Sequence, residues 1–200
     1  MDIKISNGNL KMGRIPSVSL PAGLTCRANC ACQTKCYARK IARLRPTVRE
    51  AYKTNFDVLK NHPDTYWREV EAAIMLSRYF RYHVSGDIVD DLYFYKMVEI
   101  SIRNPHCQIL CFTKKYEIVN QFIKNGGEIP SSFHVIFSVW RGMNFENPYH
   151  LPEAHVRYRD GTTTANMSAH ECSGNCANCA TIKNGCWSLK NGEQIVFNEH

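Results

Sequence analysis

The chain has 200 residues, which is long enough to bury a hydrophobic core without disulfides or other staples. Hydrophobic residues make up 44% of it, which excludes an intrinsically disordered protein, and no apolar run approaches the ~20 residues of a membrane span. Lys and Arg outnumber Asp and Glu by 25 to 18, and the net charge of +7 favours anionic partners such as nucleic acid or phosphorylated metabolites.

The N-terminal residues 1–5 carry charge where a signal peptide is apolar, so we expect a cytoplasmic protein. The segment Ile15–Leu20 alternates like a strand, and Pro21–Gly23 predicts the turn that ends it. Cytosolic thiols are kept reduced, and the ten cysteines therefore indicate metal binding in place of disulfides.

A first cysteine group follows this strand directly, in a predicted loop. Four soft sulfur ligands in so short a stretch suit zinc or an iron–sulfur cluster, and the spacing does not separate the two. Nearby cations, Arg27, Lys35, Arg39 and Lys40, favour deprotonated thiolates. The thiols of this group are Cys26, Cys30, Cys32 and Cys36.

Helices and strands then alternate along the chain. Apolar periodicity predicts helices over Thr47–Asn61, Asp64–Arg78 (with Asp64 as its cap), Asp91–Arg103 and Tyr116–Asn125. Apolar, β-branched and aromatic runs predict strands over Tyr79–Val84, Gln108–Thr113, Phe133–Trp140, Ala154–Tyr158 and Glu193–Phe197.

This alternation predicts an α/β fold with a parallel sheet, either a partial (β/α) barrel or an open sheet, because the units are too few for an eight-fold barrel. We expect residues 1–160 to form the α/β core with the N-terminal cysteine loop. Residues 161–200 form a cysteine-rich metal-binding segment packed on the same domain.

Polar residues follow three of the predicted strands. Ser85, Gly86 and Asp87 form a small turn with one carboxylate, suited to gripping an amino or hydroxyl group. Thr113, Lys114 and Lys115 end the next strand, and Ser138, Trp140 and Arg141 end the one after it. If the strands are parallel, all three sets meet at the edge that carries the first cysteine loop.

Two further cysteines, Cys107 and Cys111, lie on or beside a predicted strand and are expected to be buried and free. His83 is expected to be a core histidine that could approach the site.

The second cysteine group lies after the core, with Gly and Asn in its tight turns, and its spacing predicts a closed four-ligand site. Part of it has the spacing of the radical S-adenosylmethionine (SAM) cluster motif. However, it does not follow the first strand, and an auxiliary cluster or a structural zinc is the better interpretation. Its thiols are Cys172, Cys176, Cys179 and Cys186.

The sequence resembles the phage "gene product 88" family over essentially its whole length. The resemblance is carried by Lys11–Pro16, Leu20–Gly23, Cys26, Cys32 and Cys36–Ala38, by His83–Asp87 and Cys111–Lys115, and by Gly185–Trp187, Phe197 and His200. That family is similar in layout to radical SAM proteins. In those, three cysteines after the first strand hold a [4Fe–4S] cluster, and an acid-bearing Gly-rich turn after the second strand contacts SAM.

The resemblance implies that Cys26, Cys32 and Cys36 hold such a cluster and that Ser85–Asp87 replaces the Gly-rich turn, with Asp87 on the SAM amino group. Their spacing differs from the usual radical SAM spacing, and Cys30 is an extra candidate ligand. The leading hypothesis is therefore a radical-SAM-like iron–sulfur protein with one or two [4Fe–4S] clusters and SAM. It would use an electron donor and would act on an unknown substrate, whose anionic groups Lys114, Lys115 and Arg141 would bind.

Two alternatives stay open. A non-catalytic zinc or cluster module would bind nucleic acid through Arg39, Lys40, Arg43 and Arg45, with a steep dependence on salt. An electron-transfer protein would fit two clusters but would leave Ser85–Asp87 and the +7 charge unexplained. No membrane partner is expected under any of these hypotheses.

Overall fold

The computed structural model describes residues 2–180 and 185–199. In these residues seven strands form one parallel sheet, in the order β1-β2-β3-β4-β5-β7-β6. The strands are β1 (Ser17–Val18), β2 (Tyr79–Tyr82), β3 (Gln108–Thr113), β4 (Phe133–Val139), β5 (Glu153–Arg157), β6 (His170–Glu171) and β7 (Gln194–Asn198). The predicted α/β class with an open parallel sheet is confirmed.

The helices are α1 (Tyr37–Leu44), α2 (Pro46–Asn61), α3 (Pro63–Met75), α4 (Asp91–Arg103), α5 (Tyr116–Lys124) and α6 (Cys176–Cys179), with a 3-10 turn at Gln33–Lys35. Two of them begin at a proline, whose fixed φ suits the first helical position. Helix α4 is capped by Asp90, whose side chain accepts the backbone N–H of Tyr93 at 2.8 Å. None of the described helices is both long and apolar enough to cross a membrane.

Three sequence predictions need correction. The first strand covers only Ser17–Val18, because Pro16 has no N–H to donate and the Leu20 N–H leaves the ladder to donate to the Ser85 carbonyl. The third helix ends at Met75, short of Arg78, and its cap is His62. Asp64 lies inside the first turn, where its carboxylate still interacts favourably with the helix dipole.

Four of the described elements were not predicted: the 3-10 turn at Gln33–Lys35, α1, β6 and α6. Helix α1 occupies the basic stretch after the first cysteine group, and its 8 residues are fewer than the roughly 11–18 over which helical periodicity is recognised. Strand β6 is only two residues long and lies at the edge of the sheet.

The sheet separates two cores. Alternate residues of the strands, such as Phe80 and Tyr82, pack against the apolar faces of α2–α5. The other residues, including Leu110 and Ile136, pack against residues 12–15 of the N-terminal segment and against the second cysteine group with Trp187. Helices α2–α5 thus cover one face of the sheet, and the second cysteine group covers part of the other face.

Strand order explains this division. From β1 to β5 each step moves one strand in the same direction, and right-handed crossovers then place helices α2–α5 on one face. The step from β6 to β7 runs the opposite way, so its connection crosses the opposite face. That connection carries the second cysteine group.

Candidate metal and ligand site

A cavity of about 1170 Å³ lies over the face of the sheet opposite α2–α5 and reaches its carboxyl edge. We call it the cysteine cavity, because cysteines from both ends of the chain line it. The loop after β1 supplies three of them and the connection between β6 and β7 supplies four. Seven of the eight predicted metal ligands are therefore brought together: Cys26, Cys32, Cys36, Cys172, Cys176, Cys179 and Cys186.

Cys30, the eighth, does not line the cavity. It is buried, and its Sγ lies 3.0 Å from the Sγ of Cys32 and 3.8 Å from the Sδ of Met143. The hydrogen bond with Cys32 lowers the pKa of the Cys30 thiol to about 6, and the same contact together with burial raises the pKa of Cys32. Lys114 favours the thiolate in both residues, so a cation already stabilises this pair.

The second cysteine group is built around Cys179. Its Sγ accepts the backbone N–H of Cys186 at 3.2 Å, and the hydrogen bond with the Cys186 thiol lowers the pKa of Cys179 to about 6. Burial raises the pKa of Cys172, whose Sγ accepts the Gly174 N–H at 3.4 Å. A Cβ at Gly185 would lie 2.3 Å from the Cys179 Sγ, so this sulfur requires glycine there.

All ten cysteines, each within the described part of the chain, are free thiols. Across residues 2–180 and 185–199, no three His, Cys, Asp or Glu side chains form a group that could hold a metal ion as they stand. The sulfurs meet in pairs, Cys30 with Cys32 and Cys179 with Cys186. The donor set fits zinc or an iron–sulfur cluster, since both take thiolate ligands, and the neighbouring cations favour the thiolate form. Closing either group around a metal would move its other thiols toward the pair.

The turn Ser85–Asp87 lines the same cavity. Gly86 has φ +81°, and a Cβ there would lie 2.8 Å from the Leu20 carbonyl oxygen and 2.7 Å from Thr25 Oγ1. The Asp87 N–H donates to Thr25 Oγ1 at 3.1 Å. The turn is therefore fitted tightly against the start of the first cysteine loop.

Asp87 is buried and its carboxylate joins the ends of β2 and β3. Oδ1 accepts the Thr113 hydroxyl at 2.7 Å and the Ile88 N–H at 2.8 Å, and Oδ2 accepts the Lys114 N–H at 2.9 Å. Burial raises the pKa of Asp87, while Lys114 and these hydrogen bonds oppose the shift. A carboxylate has about four acceptor positions, so one position on Oδ2 is left for a ligand.

Only some of the site residues predicted after β3 and β4 line the cysteine cavity. Lys114, Ser138 and Trp140 line the cysteine cavity, whereas Thr113 and Lys115 do not. Thr113 is buried and accepts the Lys115 N–H at 2.9 Å, so it holds the turn in place. Arg141 lies outside the cavity, paired with Asp160 and stacked on Tyr158.

His83 lines the cavity with an unusual backbone, φ +58°, which is rare for a residue other than glycine. Its Nε2 lies 3.0 Å from the Tyr93 hydroxyl, and its buried Nδ1 has no partner among the described residues. Burial lowers the pKa of His83 to about 3, with nearby Arg81 acting in the same direction. A neutral histidine therefore lies in the cavity lining just before the Ser85–Asp87 turn.

Sequence reasoning missed Arg81, which points from β2 onto the cavity side of the sheet. Its Nη1 lies 3.9 Å from the Cys176 Sγ, and its guanidinium stacks over the Phe112 ring. The only available signal was a charged residue alternating with buried aromatics in a predicted strand. Three cations of the basic stretch also line the cavity, Arg39, Lys40 and Arg43, whereas Arg45 does not.

The cavity lining is strongly cationic. Its lysines and arginines are Lys11, Lys35, Arg39, Lys40, Arg43, Arg81, Lys114 and Arg159, and its carboxylates are Asp87 and Glu199. Glu199 is already paired with Lys35.

Comparison with known proteins agrees with the resemblance seen in the sequence. No curated protein and no solved structure matches the chain. Among the residues that carry the resemblance, His200 lies outside the described range. The family model of gene product 88 matches residues 3–175, and the chain therefore belongs to the gene product 88 family.

Proposed function

We propose that this protein is an iron–sulfur enzyme of the radical SAM type, in which Cys26, Cys32 and Cys36 hold a [4Fe–4S] cluster. The observation that carries the proposal is that these thiols, the second cysteine group and the Ser85–Asp87 turn all line one cavity. Parallel α/β proteins bind their ligands at this carboxyl edge.

The positions of the four thiols in the first cysteine group favour a cluster with three cysteine ligands. Cys26, Cys32 and Cys36 line the cavity, while Cys30 lies behind Cys32 and contacts Met143. Cys26, Cys32 and Cys36 would hold a [4Fe–4S] cluster with one iron left without a protein ligand, and when reduced that cluster would supply one electron for SAM cleavage. Cys30 is then a neighbour of the three ligands and contacts Cys32 and Met143.

The turn after β2 supplies the contacts that a SAM amino acid moiety needs. The remaining acceptor position on Asp87 Oδ2 accepts an ammonium N–H, and the buried Ser85 Oγ has no partner among the described residues. Lys114 follows β3 between this turn and the first group, where it favours thiolates and offers a cation to an anionic substrate. The second group holds an auxiliary cluster or a structural zinc.

A zinc module that binds nucleic acid is the second candidate, favoured by the cations of α1. Because Arg39, Lys40 and Arg43 line the cavity, this candidate too places its ligand beside the cysteines. An electron-transfer protein accounts for the two cysteine groups but leaves the cationic cavity without a role.

Anaerobic purification with metal analysis, a visible spectrum and a SAM-cleavage assay separates these candidates. We expect brown protein that cleaves SAM when reduced, and a Cys26→Ala/Cys32→Ala/Cys36→Ala variant that loses about four iron atoms per chain together with the cleavage. Cys107→Ala is the matched control, since that thiol is buried on the helix side and away from the cavity. Cys30→Ala should keep its iron.

The other outcomes of the metal analysis and the cleavage assay favour the alternative candidates or exclude the proposed cluster site. Colourless protein with zinc in both groups rules out the radical mechanism and favours the zinc module. Brown protein that never cleaves SAM favours electron transfer. Equal iron in the triple variant and in Cys107→Ala would show that the first cysteine group is not the cluster site.

A further inference from the structure

Cations and aromatic rings are interleaved along the wall of the cysteine cavity. Three cation–π pairs lie in its lining, with the cation 5.0 to 6.0 Å from the ring centroid. They are Arg81 over Phe112, Lys11 over Phe197 and Lys114 over Trp140. Rings that stack bases, combined with cations that track phosphates, are how proteins hold nucleotides without relying on base edges.

The positive charge of the cavity lining favours an anionic ligand. Eight Lys and Arg residues line the cavity against two carboxylates. Asp87 is engaged by three donors and Glu199 is paired with Lys35, so neither neutralises the remaining cations. Once they hold metal, the seven thiolates in the lining would offset part of this positive charge, whereas SAM, with a sulfonium and an ammonium against one carboxylate, would offset none of it. An anionic group on the substrate therefore complements the cations that the thiolates leave unbalanced.

Arg81 is the most informative of these cations. It lies on β2, the second of the seven strands, and is partly buried, so its charge is costly unless it is paired. Among the described residues it has no carboxylate partner, and its buried Nε has no acceptor. A guanidinium is the side chain best suited to phosphate, because its fork of N–H donors binds two oxygens at once.

Further buried polar atoms without partners belong to residues of the same lining. They are Ser85 Oγ, with the residue only 2% exposed, Trp187 Nε1 and His83 Nδ1. Buried polar groups are normally satisfied, so their grouping around one cavity indicates a polar ligand. A volume of about 1170 Å³ exceeds the 300–1,000 Å³ typical of small-molecule sites. It offers room for a substrate beside a cofactor.

We propose that the substrate bound in the cysteine cavity is a nucleotide, with its phosphate on Arg81 and Lys114 and its base stacked on Trp140. The proposal rests on the proposed function for the reaction, but nucleotide binding itself needs no SAM cleavage. The same chemistry is presented by a free mononucleotide and by one nucleotide of a single strand.

Tryptophan fluorescence reports binding directly, because Trp140 and Trp187 line the cavity whereas Trp67 lies on α3. The protein is titrated with AMP, with inorganic phosphate, with a ten-residue single-stranded oligothymidylate and with a blunt duplex. We expect AMP to bind more tightly than inorganic phosphate. A tight complex with AMP identifies a free nucleotide as the substrate, and much tighter binding of the single strand than of AMP identifies a nucleic acid.

The matched variants are Lys114→Gln and Lys60→Gln, since Lys60 also lies over a ring, Phe56, but on α2 and outside the cavity. We expect Lys114→Gln and Arg81→Gln to weaken nucleotide binding at least about tenfold, and Lys60→Gln to leave it unchanged. Arg81→Lys keeps a positive charge at this position and should recover part of the nucleotide affinity that Arg81→Gln loses. If the substitutions only damaged the sheet, both variants would lose the same affinity.

Three results would overturn the proposal: no binding of any nucleotide, equal binding of AMP and inorganic phosphate, or equal losses in Lys114→Gln and Lys60→Gln. The titration is run on the protein as purified and on anaerobically reconstituted protein. A colourless zinc protein that binds AMP would end the radical proposal alone. A brown, SAM-cleaving protein that ignores nucleotides would end this inference alone.

Discussion

Replacing Gly86 with alanine tests whether the turn after β2 is fixed against the first cysteine loop. The left-handed backbone at φ +81° disfavours alanine by about 1 kcal/mol. The new Cβ would also lie 2.8 Å from the Leu20 carbonyl oxygen. Leu20 cannot retreat easily, because its own N–H donates to the Ser85 carbonyl at 3.0 Å. Overpacking of this kind costs about 1–3 kcal/mol, so we expect a total loss of about 2–4 kcal/mol.

The loss is measured by urea unfolding, and under the proposed function the iron content of the same variant shows whether the cysteine loop moves with the turn. Gly126→Ala is the matched control, because Gly126 has φ +85° with nothing within 4 Å of its Cβ position. Gly126→Ala should lose only the free energy of the unfavourable backbone conformation, about 1 kcal/mol. If Gly86→Ala is no more destabilising than Gly126→Ala, the Leu20 carbonyl does not restrict the side chain at position 86, and the turn is not fixed against the cysteine loop.

Two further predictions concern His83 and the second cysteine group. The folded-state pKa of His83, about 3, lies below the unfolded value near 6.5, so its contribution to stability is present above pH 6.5 and is lost as pH falls. Between pH 7 and pH 5 we expect a loss of about 2 kcal/mol, seen as a pH-dependent urea midpoint that His83→Gln flattens. Gly185→Ala would place a Cβ 2.3 Å from the Cys179 Sγ, and we expect metal analysis to show loss from the second group while the first group keeps its metal.

Each of these has a clear contrary result. An unchanged slope of stability against pH in His83→Gln would show that another group titrates in this range, and full metal content in Gly185→Ala would remove Cys179 from the ligands.

Much of the fold could be read from the sequence. The bounds of α4 and β3 match their predictions, because a capping Asp90 and a compact apolar run leave little ambiguity. Short elements could not be predicted in this way, because a few residues carry too little periodicity. Helix α1 buries only Ala38, and β6 is held by pairing with β7, a partner more than twenty residues away in the chain.

By itself the sequence determined that thiols are concentrated at two places in the chain, that helices alternate with strands, and that polar turns follow those strands. Local patterns decide such features, because propensity and periodicity act over a few residues. Only the tertiary structure decided that both cysteine groups share one cavity, since this depends on the reversed step from β6 to β7. The same holds for Arg81, which reaches that cavity because β2 lies between β1 and β3 and turns its charged side away from the helices.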